Sequence, residues 1–107
     1  MNLQTAAQWL SQDIVGFSDI HRFAAQCRDA AAPQGRESAA LILLAQAAAT
    51  FTERQEGVAV TNETVRAFLA DLRAQARELS DASGASDSAL LSALNRFAAQ
   101  MSADLFV

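Results

Sequence analysis

"VTNETVRAFLADLRAQARELS", residues 60–80, decides the fold. Val65, Phe68, Leu69, Leu72, Ala76 and Leu79 recur at helical intervals. At 100° per residue they fall on one side of an α-helix, and the stretch has no strand-like alternation. Its start is also written in the sequence. Thr61 is placed as the N-cap, Asn62 as the first helical residue and Glu63 where a negative charge favours the helix dipole. Val60 and Val65 have the spacing of a hydrophobic staple.

The same reading extends in both directions. Upstream, Leu3, Ala7, Leu10, Ile14 and Phe17 form a first stripe, and Gly16 breaks the chain with Ser18 as the next N-cap. Ile20, Phe23, Ala24, Cys27 and Ala31 form a second stripe, ended by Pro33 and Gly35. A third helix is expected from Arg36 to Glu56, with Gly57 closing it. Downstream, "SDASGASD" (80–87) reads as a linker and Ser86 as the cap of a fifth helix. The fifth stripe is Leu90, Leu94, Phe97, Ala98, Met101 and Leu105. "GVAVT" is too short to count as a strand. The expectation is an all-α fold: residues 1–107 as a single domain, a compact bundle of about five helices with short loops.

Composition sets limits on that bundle. The chain is 51% hydrophobic, but 25 of those 55 residues are alanine. Leu, Ile, Val and Phe together number 26, enough for a globular chain. The core is therefore thin unless helices approach closely across alanine faces. There is no lysine and no tyrosine, so all eight basic residues are arginine. A net charge of −4 argues against nucleic-acid binding, which needs a basic surplus. Cys27 is the only cysteine, so no internal disulfide forms. The longest apolar run, Ala39–Ala45, is far short of a membrane span, and no signal-like segment opens the chain. The expected setting is the cytoplasm.

The third helix departs from the amphipathic pattern. From Ala39 to Phe51 only Gln46 and Thr50 are polar, and Ile42 and Leu43 lie off the Leu41–Leu44–Ala48–Phe51 face. Such a helix is either surrounded by its own chain or closed by a second subunit. The second alternative makes the protein a homodimer with Ile42 and Leu43 in the interface.

Arg-Phe-Ala-Ala-Gln occurs twice, at 22–26 and 96–100. Helical geometry points Phe23, Ala24, Phe97 and Ala98 to the core and Arg22 and Arg96 to solvent. Ile20 matches Leu94, and Cys27 matches Met101. The repeat is thus a packing face; it offers no nucleophile or general base.

Chemistry has few candidates. Cys27 belongs to an apolar stripe and reads as a buried, inert thiol. One His and one Cys give no metal-ligand spacing, and no phosphate-cradling glycine loop is present, so no metal and no cofactor are expected. Glu53 and Glu56 lie three apart near a helix end without an accompanying histidine or aromatic. His21 lies near the start of its helix between Asp19 and Arg22. Over this one helix the chain resembles histidine phosphotransfer domains, which implies a phosphorelay role for His21. Those domains carry Lys and Gly just after the histidine, where this chain has Arg22-Phe23-Ala24-Ala25.

Two surface features remain. Arg66, Arg73 and Arg77 share one side of the fourth helix, with Asp71 and Glu78 on the other. Arg73 and Arg77 are a like-charge pair at i, i+4, which needs compensation. They either form salt bridges to neighbouring helices or dock an acidic partner helix or another anion. Trp9 lies about 120° off its helix's stripe, as a second packing contact or a partner anchor. The tail "DLFV" has apolar residues at Leu105 and Val107 and is expected to fold onto the core.

The functional expectation is a non-enzymatic protein-interaction module, such as an adaptor, a chaperone or an immunity-type inhibitor. Arg66, Arg73, Arg77 and Trp9 would contact the partner. The alternative is a phosphorelay component or other enzyme using His21.

Overall fold

A computed structural model describes residues 1–12 and 16–105, with the backbone alone for 103–105. The Ile14 position of the first stripe, the side chain of Leu105 and the end of the tail lie outside the described residues. The order is α1 (Leu3–Leu10), α2 (Phe17–Ala30), α3 (Ser38–Arg54), α4 (Asn62–Ala85) and α5 (Asp87–Leu105), with no strand among the described residues. The all-α bundle of five helices is therefore as expected. α2 packs chiefly on α3, α1 on α4, and α4 on α5, with lighter α3–α4 and α3–α5 contacts.

One apolar core runs through all five helices. Of its twenty buried residues eight are alanine, which allows the backbones to approach closely and makes up for the shortage of large side chains. Phe23, Leu3, Leu10, Ile20, Leu44, Leu79 and Cys27 are its largest fully buried members.

Three of the helix boundaries are held by the expected chemistry. The Thr64 amide donates to Thr61 Oγ1 at 3.2 Å, which fixes the N-cap of α4. The Ala89 amide donates to Ser86 Oγ at 3.0 Å at the head of α5. Gly57, just past α3, adopts φ +77°, a conformation that favours glycine.

Other boundaries differ. α1 ends at Leu10, so Phe17 opens α2 and does not close α1. Ser18 is not the N-cap. Gly16 takes that place, and its amide donates to the Asp19 carboxylate at 3.1 Å, a role that needs the acid at N3 more than a hydroxyl at N2. "SDASGASD" is not a linker. α4 runs through it to Ala85, leaving Ser86 alone between two helices.

The reason is tertiary. Ser83 Oγ donates to Glu37 Oε2 at 2.6 Å and accepts from Arg36 Nη1 at 2.7 Å. Glu37 Oε1 also accepts from the Leu3 amide at 3.0 Å, and Arg36 pairs with Asp87. This polar knot joins the head of α1, the α2–α3 loop, the tail of α4 and the head of α5. It outweighs the roughly 1 kcal/mol by which Gly84 disfavours helix. In the same loop the Ala32 amide donates to Ser38 Oγ, which donates back to the Ala32 carbonyl. A Cβ on Gly35 would collide with Ser38 Oγ, so the loop needs glycine there.

The repeat behaves mainly as a packing face. Phe23 is 1% exposed and Phe97 4%, and Arg22 and Arg96 are exposed. The exception is Ala98, which is exposed, whereas Ala24 is buried. α5 turns its Leu90–Ala93–Phe97 side inward, so Ala93 takes the place expected for Ala98.

Cys27 is fully buried, and burial pushes its thiol up from 9.0 to about 12, opposed by the positive N-terminus and Arg28. The sign follows from the direction. Between pH 9 and 12 the unfolded chain has lost a proton that the folded chain keeps, so stability is full below 9 and falls as pH rises towards 12. The slope is at most about 1.4 kcal/mol per pH unit. With no lysine or tyrosine, Cys27 is the one side chain titrating in that window. Urea midpoints should be flat from neutrality to pH 9 and fall beyond it, with the fall removed in Cys27→Ala. A parallel fall in that variant would assign the effect elsewhere.

Candidate partner-binding site

α4 has two charged flanks, and its neighbours treat them differently. On the flank towards α5, Glu78 pairs with Arg96. On the flank towards α1 stand Arg66, Arg73 and Arg77. Helical geometry puts them within about 40° of one another, at the border of the buried Leu69–Leu72–Ala76 stripe. α1 packs against this flank, and its sequence LQTAAQWL contains no charge at all. Among the described residues no carboxylate pairs with Arg66, Arg73 or Arg77.

The seam between α1 and α4 holds two recesses. One, of about 670 Å³, is lined by Gln12 and by Asn62, Val65, Arg66, Leu69, Ala70 and Arg73 from a single side of α4. Next along the seam, a smaller one of about 200 Å³ lies among Gln4, Gln8, Ser11, Arg77, Ser80 and Asp81. Asp81 borders Arg77 without forming an ion pair.

Arg73 is the focal point. Its guanidinium stem is half-buried, and its Nε is buried with no hydrogen-bond partner. Leaving such a donor unmade costs about 1–3 kcal/mol. Arg77 one turn away adds like-charge repulsion. Arg73 lines the larger recess, and no described group there accepts from its Nε.

The other candidates fall elsewhere. The Trp9 indole stacks on Phe23, with centroids 5.0 Å apart and planes at 26°, so it has an internal packing partner and is half-buried. Ile42 is 44% exposed and Leu43 half-buried, so α3 is not wrapped on all sides by its own chain. His21, Glu53 and Glu56 are exposed. Among the described residues no group of three or more His, Cys, Asp or Glu is arranged to hold a metal. No helix there is long and apolar enough to cross a membrane.

The sequence brought out the three arginines but not their setting. Gln4, Gln8 and Gln12 lie one helical turn apart in sequence, and that glutamine face meets the arginine face along the seam. The uncharged composition of α1 was the available signal, since α1 brings no acid to the basic flank. No protein-family model, curated protein sequence or solved structure matches the chain.

Proposed function

We propose that the chain is a non-enzymatic protein-interaction module, of the adaptor, chaperone or inhibitor kind, that binds an acidic protein along the α1–α4 seam. One observation supports this above the rest: Glu78 on the α5 flank of α4 is paired with Arg96, whereas among the described residues none of the three arginines on the α1 flank forms an ion pair, and the helix packed there is uncharged. A net charge of −4 adds to the case for a local, protein-specific contact over general binding to phosphate backbones.

The test is a quantitative pull-down from the native cells, with wild-type and Arg73→Glu/Arg77→Glu baits side by side. Reversing two charges should abolish retention of acidic partners, mainly through slower association, and wild-type retention should weaken with salt. Equal retention by the two baits overturns the proposal.

The reading includes a homodimer closed over Ile42 and Leu43, supported by the exposure of Ile42 on a helix with few outward polar groups. It also places the module in the cytoplasm, where a lone reduced thiol such as Cys27 persists. Sedimentation equilibrium should give twice the chain mass of 11.4 kDa, and Ile42→Asp should give the single mass. A wild type that stays at the single mass at high concentration removes the dimer from the reading.

A further inference from the structure

We infer that the larger recess is a carboxylate socket, which receives one Asp or Glu side chain of the acidic partner between Arg66 and Arg73. The inference rests on the partner reading above and names the group that the seam recognises. Three features converge on it. Arg66 and Arg73 line the same wall, two positive charges with no carboxylate partner among the described residues. Arg73 Nε is a buried donor without an acceptor, so the guanidinium lining the recess has hydrogen-bonding capacity that a carboxylate can take up. Asn62 and Gln12 add amide groups at the rim, and Asn62 belongs to the first turn of α4, the positive end of its dipole.

The recess, about 670 Å³, lies within the range of ligand pockets, roughly 300–1,000 Å³. It has room for a side chain with its adjoining backbone, more than a bare ion needs. Val65, Leu69 and Ala70 supply apolar wall for that backbone and its methylenes. A singly charged carboxylate is favoured over a phosphate because the chain is net negative and, among the described residues, two guanidinium groups line the recess. Arg77, a further turn along α4, is placed for a second carboxylate of the same partner, about 6 Å from the first by helical rise.

Arg73→Met keeps most of the apolar stem and removes the orphaned donor. Its melting temperature should equal or exceed that of the wild type while binding is lost, the pattern of a residue kept for function. A strut gives the reverse, a lower melting temperature.

The direct experiment follows the Arg Nε–Hε signals of the isotopically labelled full chain by NMR. The probe is a short capped peptide of alternating Glu and Ala. Its Gln counterpart, a phosphoserine counterpart and inorganic phosphate are titrated in parallel. The Glu peptide should move the Arg73 signal saturably and the Gln peptide should not. Arg66→Glu should weaken the interaction by about tenfold or more. If phosphoserine or phosphate moves the signal where the Glu peptide does not, the ligand is a phosphate and the carboxylate assignment fails.

Asp13 follows Gln12 in the chain, so Asp13→Asn is run as well. An Arg73 signal that moves on that change without peptide means an internal carboxylate and overturns the socket. An Arg73 signal that the Glu peptide never moves also overturns it, whatever the baits do. The pull-down then decides separately whether the partner reading falls too.

Discussion

Phe23→Ala should remove about 3–5 kcal/mol of folding free energy, the range for deleting a buried phenyl ring. Phe23 is 1% exposed, at the centre of α2, and the Trp9 ring rests on it at 5.0 Å. Losing that stack adds to the cavity, by about 0.5–1.5 kcal/mol in comparable pairs. Typical domains have roughly 5–15 kcal/mol in total, so the variant should be marginal at room temperature. Phe97 occupies the equivalent place in the second Arg-Phe-Ala-Ala-Gln and is 4% exposed, but it stacks on no described ring. Phe97→Ala should therefore cost about 1 kcal/mol less than Phe23→Ala. Urea denaturation of the two variants checks the order. Equal costs would mean that the two copies of the repeat are equivalent packing units and that the Trp9 contact contributes nothing.

The second large effect is expected at Glu37. Its two carboxylate oxygens accept from the Leu3 amide and from Ser83 Oγ, so one side chain joins three helical segments. Hydrogen bonds to charged groups contribute about 1.5–3 kcal/mol each when well shielded, and Glu37 is half-buried. Glu37→Ala should cost about 2–3 kcal/mol, since it strips the α1 head of its anionic acceptor and leaves Ser83 Oγ with Arg36 alone. Glu37→Gln keeps the shape and should recover only part. Arg36→Ala should do much less, because the Arg36–Asp87 pair is solvent-exposed. An Arg36 effect as large as that of Glu37 would show that the ion pair, not the carboxylate, holds the knot.

The same residues mark where the sequence could be read and where it could not. Stripes built on large side chains were legible: Leu69, Leu72 and Leu79 on α4, and Ile20 and Phe23 on α2, are buried where helical period puts them. Alanine carried little information. Ala93 is buried and Ala98 exposed; the two lie about 140° apart, on opposite edges of the α5 stripe, and only the angle at which α5 meets its neighbours decides which edge is covered. Residues 80–87 have the composition of a linker, and the contacts that hold them in a helix include bond partners more than forty residues away in sequence, Glu37 and Arg36 on Ser83. For the site, the like-charge spacing of Arg73 and Arg77 was visible in the sequence. That their flank is covered by an uncharged helix, and that Arg73 Nε has no acceptor, depends on which helix packs there.

The Trp9–Phe23 stack makes α1 separately observable. Trp9 is the only tryptophan and the chain has no tyrosine, so its ultraviolet emission reports the surroundings of this one helix. α1 has eight residues, too few to stay helical alone, so undocking and melting of α1 are a single event. Emission then follows the detachment of α1, while the far-ultraviolet signal is dominated by the four longer helices. If the two traces superimpose through a denaturant series, the seam lasts as long as the molecule does. If emission changes first, α1 is a detachable flap, and the wall that it lends to the arginine flank opens in a state that is otherwise folded.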